Sequence, residues 1–129
     1  MKKILFICEG NVCRSPIAAA IFSNIVRRNN RSDIIVESAG TAAFPGQPMA
    51  EYARIALLEC GEDLPNPPHR ATQLTPAMRT QYNYIIDVRD IPDPWGSSME
   101  TYINLAKTLQ KRMAELYRLL IEKMEEGTA

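Results

Sequence analysis

Cys8 and Arg14 are separated by five residues in the run Ile7-Cys8-Glu9-Gly10-Asn11-Val12-Cys13-Arg14-Ser15-Pro16. An ionised thiol is a nucleophile, and a guanidinium is a permanently charged planar fork that suits the oxygens of a phosphate. Together they are the parts of an oxyanion site with a nucleophile at its floor. Far downstream, Asp93 lies between prolines in Ile91-Pro92-Asp93-Pro94-Trp95-Gly96. The prolines restrict the backbone, and Ile91 and Trp95 are expected to give the carboxyl an apolar setting that raises its pKa toward that of a general acid. No metal is expected, because Cys8, Cys13 and the single histidine, His69, lack paired ligand spacing. The reading calls for no cofactor.

The elements that position these groups are legible on either side. Lys3 to Ile7 reads as a buried strand, and Ser15-Pro16 followed by Ile-Ala-Ala-Ala-Ile-Phe reads as an N-cap, an N1 proline and a helix. Glu9, Gly10, Asn11, Val12, Cys13 and Ser15 then make a phosphate-binding loop between the first strand and the first helix. Free N–H groups and the positive end of the helix dipole collect there, beneath any bound anion. The same field is expected to bring the Cys8 pKa from about 8.5 to roughly 3.5–7.5. Gly10 and Asn11 are the residue types that most easily take positive φ, as a tight loop with inward amides requires. The Ser15 hydroxyl is placed to donate to the sulfur.

This decapeptide resembles the signature of the low-molecular-weight protein tyrosine phosphatases, Cys-x-Gly-Asn-x-Cys-Arg-Ser-Pro, with every fixed position present. The resemblance implies that Cys8 is the nucleophile, Arg14 holds the phosphate, and Asp93, in a segment similar to the family's Asp-Pro-aromatic loop, is the acid. Ser38-Ala39-Gly40-Thr41 follows a second strand over Ile34-Ile35-Val36; the resemblance implies that Ser38 supports the phosphate loop through Asn11. His69-Arg70-Ala71-Thr72-Gln73-Leu74 is similar to a His-x-Ala-Arg-Gln-Leu stretch of the family, with Thr72 where arginine is usual. In the family a helix and a further strand separate a Tyr84-like strand from the acid loop. Here Tyr84 and Asp93 are too close for them, so either the Tyr84 strand feeds the acid loop directly or it replaces the family's last strand.

The length, 129 residues, and a 46% hydrophobic content suit one phosphatase-like domain over residues 1–129. Formal net charge is +0, which favours neither nucleic acid nor an anionic membrane. Arg27, Arg28 and Arg31 are read as complements to the end of the first helix. No apolar run approaches the ~20 residues of a membrane span. Three cysteines, one of them nucleophilic, argue for a reducing compartment, so the expected location is cytoplasmic. Cys13 is either a small filler beneath the loop or a thiol that captures an oxidised Cys8 as a disulfide. Cys60, before Gly61, is read as a helix-face residue without chemistry.

Pro48 to Cys60 reads as a helix closed by Gly61, Thr75-Pro76 as the cap of a short turn, and Tyr84 to Val88 as a strand. From a Ser97 or Ser98 cap, Tyr102, Ala106, Leu109, Met113, Leu116, Leu120 and Met124 recur at three- and four-residue spacing. This is one long amphipathic helix of roughly 40 Å. Its last turns, with Leu119 and Ile121 off the stripe, suit a monomer or a weak dimer through that helix. The fold class is α/β: a small three-layer domain around a three- or four-stranded parallel sheet. The function is cysteine-dependent hydrolysis of a phosphomonoester of the phosphotyrosine type, through a phosphocysteine. Phe44 and Trp95 are candidate walls for the ring, and the partner is a phosphorylated protein or a small aryl phosphate. Two alternatives are arsenate reduction with an external thiol, since no cysteine follows Cys60, and a phosphoanion-binding module without catalysis.

Overall fold

The Lys2–Cys8 segment forms β1, the central strand, and its residues Ile4 to Cys8 are all buried. A strand covered on both faces needs such a continuous apolar run, and parallel pairing on both sides supplies that setting. In the computed structural model, which describes residues 1–126, β2 (Ile34–Gly40) and β3 (Tyr84–Asp87) flank it in the order β2-β1-β3. Lys2 is opposite Ile34 and Cys8 opposite Gly40, while Ile4 is opposite Tyr84 and Ile7 opposite Asp87. β1 thus ends in register with the end of β2, and the loop after it emerges at the carboxyl edge where open α/β sheets carry their sites.

The period-two alternation divides the sheet between two clusters. Ile4, Phe6 and Cys8 face the larger one, with Ile17, Ile21 and Phe22 of α1 (Arg14–Arg28), Ala53, Ala56 and Leu57 of α2 (Glu51–Glu59), and Tyr102, Leu105, Leu109 and Met113 of α3 (Met99–Glu126). Leu5, Ile7 and Ala39 face the smaller one, covered by Leu74, Met78, Tyr82 and Ile85. That second layer is built on a single 3-10 helix, Ala77–Thr80, and its loop. The α/β class with a parallel three-stranded sheet is as the sequence implies.

Several boundaries move. Helix α1 starts at Arg14 with Cys13 as its cap residue, so Ser15 is not the N-cap but lies inside the first turn. Its hydroxyl is thereby free to turn into the phosphate loop rather than onto the helix's own amides. Helix α2 starts at Glu51, not Pro48, because Pro48 sits in a bridge with Arg70. Strand β3 ends at Asp87, one residue short of Val88. Gly10 does not take positive φ; Asn11 alone does within the loop, at φ 57°. Of the arginines read as helix-end complements, Arg27 pairs with Asp63 and Arg31 with Asp33. Helix α2 ends at Glu59, so Cys60 is its cap rather than a helix-face residue, and β2 runs on past Val36 to Gly40; Gly61 has φ 76° just past that cap, and Ser98 Oγ accepts the Thr101 amide before α3, both as expected. Strand β3 pairs directly with β1 and leads straight into the acid loop, the first of the two arrangements the sequence allows.

Candidate active site

The phosphate loop is shaped by what holds its carbonyls. Cys8 O accepts from the Thr41 amide and Glu9 O from the Ala42 amide, each at 2.9 Å; Val12 O accepts from the Ala50 amide at 2.9 Å. His69 Nε2 lies 2.7 Å from Asn11 O, and because a carbonyl only accepts, this nitrogen carries the proton. Across a trans peptide the C=O and the next N–H point in opposite directions. Anchoring these four carbonyls outward therefore turns the amides of Glu9, Gly10, Val12 and Cys13 toward the loop's centre, a ring of donors for an anion.

Asn11 ties this ring to the rest of the molecule. It is fully buried, and its amide nitrogen donates to Ser15 Oγ at 2.8 Å and to Ser38 Oγ at 2.9 Å, while its Oδ1 accepts from the Thr72 amide at 2.9 Å. Both amide hydrogens are spent and the orientation of the group is fixed. Ser15 Oγ, already accepting from Asn11, has its one proton left for Cys8 Sγ, 2.9 Å away. The geometry makes Ser15 the donor and the sulfur the acceptor, which favours a thiolate. Ser38 stands where the resemblance puts it.

Gly40, opposite Cys8 in the sheet, is needed for its lack of a side chain. A Cβ there would lie 2.3 Å from Glu9 O and 3.0 Å from Asn11 N. The loop rests directly on the β2 backbone. Thr72 serves through its backbone amide, so the departure from arginine at that position leaves the Asn11 contact intact. Gln73 braces the next turn, donating to Thr41 O at 3.0 Å and accepting from the Ala43 amide at 2.8 Å.

Arg14 is buried, and its guanidinium spans the loop and the acid segment. Nη1 donates to Ile91 O at 2.8 Å, and Nη2 is 3.9 Å from Asp93 Oδ2. Asp93 and Cys8 line one cleft of about 300 Å3 together with Glu9 to Arg14, Phe44 and Trp95. The apolar enclosure foreseen for Asp93 is absent: its side chain is 52% exposed and faces a cation, while Trp95 is 63% exposed. Trp95 instead donates its amide to Asp93 Oδ1 at 3.1 Å, a local turn that fixes the carboxylate. Phe44, 78% exposed, stands across the cleft.

Two contacts at the floor were not foreseen from the sequence. Cys13 Sγ lies 3.4 Å from the Tyr102 hydroxyl, and burial pushes the Cys13 thiol up from 9.0 to about 11. Tyr102 reads in sequence as one more stripe residue of α3, and nothing in its spacing marks a polar contact. Burial holds His69 below its ordinary 6.5, leaving the imidazole neutral near pH 7 with its Nε2–H donated to Asn11 O. Among the described residues no group of three or more His, Cys, Asp or Glu side chains is placed to hold a metal ion.

A parallel α/β domain that sets a thiol beneath a ring of amides after its first strand defines the class of cysteine-dependent phosphate-ester enzymes. The comparisons agree. Residues 3–90 match the model of the low molecular weight phosphotyrosine protein phosphatase family. The chain belongs to that family. It is 35% identical over 134 residues to a probable low molecular weight protein-tyrosine-phosphatase, EpsP, of Ralstonia solanacearum, covering 100% of this chain and 88% of that one. It is 28% identical over 150 residues to a protein-arginine-phosphatase of Bacillus subtilis, covering 95% and 97%. The crystal structure of a low molecular weight phosphotyrosine phosphatase from Vibrio cholerae superposes with a TM-score of 0.85 at 22% identity, over 95% of this chain and 99% of that one, a likeness of fold. Phosphoester hydrolysis through a phosphorylated cysteine is the chemistry of this family, and arsenate reduction is not favoured by these relatives.

Proposed function

We propose that residues 1–129 act as one phosphatase domain whose substrate is phosphotyrosine on a protein or a small aryl phosphate. The observation that carries the reading is that the cleft joins Cys8, Arg14 and Asp93 at its polar end and Phe44 and Trp95 at its mouth. A phosphotyrosine fills such a site along its length: oxyanion on the amide ring, aromatic body between the two side chains.

In this mechanism the Cys8 thiolate, stabilised by Ser15 Oγ, attacks phosphorus in line with the leaving oxygen. The S–P bond forms as the P–O bond breaks, the loop amides and Arg14 hold the equatorial oxygens, and Asp93 gives its proton to the leaving phenolate. The ionised Asp93 then takes a proton from the water that attacks the phosphocysteine, and the S–P bond breaks to release phosphate and thiolate. Glu9, at the rim, disfavours acidic substrates by like-charge repulsion. A thiolate nucleophile works only while reduced, which supports a cytoplasmic setting. Among the described residues no helix is long and apolar enough to cross a membrane.

The test is turnover of a phosphotyrosine peptide, a phosphoarginine peptide and an activated aryl phosphate, in chelator, by wild type, Cys8→Ser and Asp93→Asn. The expected result is preference for the aryl substrates, no turnover by Cys8→Ser, and a loss in Asp93→Asn that is far larger for the peptide than for the activated ester. Wild-type activity in Cys8→Ser, or preference for phosphoarginine, contradicts the proposal.

A further inference from the structure

Asp93 stands on a short arch of chain. β3 ends at Asp87, and only Val88 to Pro92 lie between that strand and the acid. One foot of the arch is fixed to the sheet: Val88 is fully buried, and its amide donates to Ile7 O at 3.0 Å. Asp87 Oδ1 accepts the Arg89 amide at 2.9 Å and Val88 O accepts the Ile91 amide at 3.3 Å, so the chain turns directly after the strand. The other foot is Pro94, which is buried and whose carbonyl accepts the Ser97 amide at 2.8 Å. Between these feet Arg14 holds the inner side through Ile91 O. The bond from the Trp95 amide to Asp93 Oδ1 lies within the arch itself, so it orients the carboxylate without tying the arch to anything else.

The outer side is held from α3. Nη1 of Arg112 lies 3.0 Å from each carboxylate oxygen of Asp90, three residues before the acid. Asp90 sits between Arg89 and Ile91, the two residues whose carbonyls face Arg14, so one arginine of the phosphate loop and one of α3 grip the same turn. The support beneath Arg112 is rigid, because the next residue, Met113, is fully buried in the core. Glu115, one turn further along the helix, is taken up by Arg118 and does not draw Arg112 away. The pair is open to solvent, with Arg112 40% and Asp90 60% exposed, so it adds little to global stability. Its consequence is geometric: a displacement of about 1 Å at a reacting group can cost about a hundredfold in rate.

We infer that Arg112 is a positioning residue of the hydrolysis, which through Asp90 sets where Asp93 stands in the cleft. The guanidinium lies outside the cleft that holds Cys8 and Asp93, and acts only through the turn it grips. The inference rests on the reading of Asp93 as the acid.

Trp95 is the single tryptophan of the chain and lies two residues beyond Asp93, so its fluorescence anisotropy decay reports the arch with no substrate present. The experiment combines that decay with thermal melts and with steady-state kinetics on phenyl phosphate and on an activated aryl phosphate. It compares wild type, Arg112→Gln, Asp90→Asn and Arg112→Lys, with Asp93→Asn as the reference for loss of the acid. Arg112→Gln and Asp90→Asn are expected to melt near wild type, to free Trp95 on the nanosecond scale, and to lose about tenfold in kcat on phenyl phosphate. On the activated ester, whose leaving group needs no proton, the loss should stay near about twofold, with KM changed by less than about twofold on either substrate. Arg112→Lys is expected to recover most of the loss, because the contact uses one nitrogen only. A loss in Arg112→Gln that is equal on both esters, or an unchanged Trp95 decay with unchanged kcat, overturns the positioning role while Asp93→Asn still shows its leaving-group dependence. If Asp93→Asn shows no such dependence, the assignment of the acid falls first, and the role of Arg112 with it.

Discussion

The Arg14 guanidinium bonds the Ile91 carbonyl at 2.8 Å while lying 3.9 Å from the Asp93 carboxylate. One buried cation thus sets the distance between the phosphate loop and the acid segment. Arg112, bonded to Asp90 at 3.0 Å, steadies the same segment from α3. The phosphate loop and the Asp90–Asp93 segment are therefore held together before any substrate arrives.

Arg14→Lys keeps the charge but cannot reach Ile91 O and a phosphate at once. Loss of one aimed donor and of the acid segment's anchor should reduce kcat/KM about a hundred- to a thousandfold. Steady-state kinetics with an aryl phosphate, and with a second ester of better leaving group, check this. A loss below fivefold would show that the fork is dispensable.

Gly40→Ala places a methyl 2.3 Å from Glu9 O, and the atom it meets is backbone, with no side chain to swing aside. The cost expected is about 1–3 kcal/mol of stability, with the phosphate loop pushed off its seat. Denaturant unfolding and the inhibition constant of inorganic phosphate should both worsen.

Cys13 contributes to the alkaline limb of stability, alongside Cys60, Tyr82 and Tyr102, whose pKa values burial also raises. Its folded pKa, raised from 9.0 to about 11 by burial, exceeds the unfolded one, so the unfolded chain gives up its proton first. The contribution is present in full below pH 9.0 and is lost as pH rises to about 11. Its size is on the order of 2–3 kcal/mol. In Cys13→Ala, urea midpoints across that range should fall less steeply than in wild type; parallel slopes would remove Cys13 as the cause.

His69 acts with the opposite sense of pH. Burial lowers its pKa below 6.5, so on acidification the unfolded chain binds a proton that the folded one resists, and stability falls with pH below that value. His69→Ala should flatten this acid limb, cost about 1 kcal/mol for the lost bond to Asn11 O, and raise KM more than it lowers kcat. Thermal melts between weakly acid and neutral pH, with paired kinetics, separate these effects.

Much of this was legible in the chain itself. A strand of apolar residues, a short loop with a thiol, an asparagine and an arginine, and a helix rich in alanine are local patterns, and each was readable because the forces that set it act between near neighbours. The proline-bounded turn at Asp93 was readable for the same reason, but its surroundings were not: the carboxylate faces Arg14 rather than the apolar setting expected from Ile91 and Trp95. The Ser15 cap was misassigned because a hydroxyl has two possible customers there, the helix amides and the loop, and only the packed loop decides between them.

What the sequence determined by itself was the chemical inventory and the strand-loop-helix that presents it, because side-chain type and short-range spacing carry that information. The tertiary structure alone decided that Asn11 also joins Ser15 and the Thr72 amide, that β2 must be bare at Gly40, and that Tyr102 lies over Cys13. Those contacts join segments distant along the chain, and several use backbone atoms. Backbone groups are the same in every residue, so their partners are chosen by the fold and leave no mark in the order of side chains.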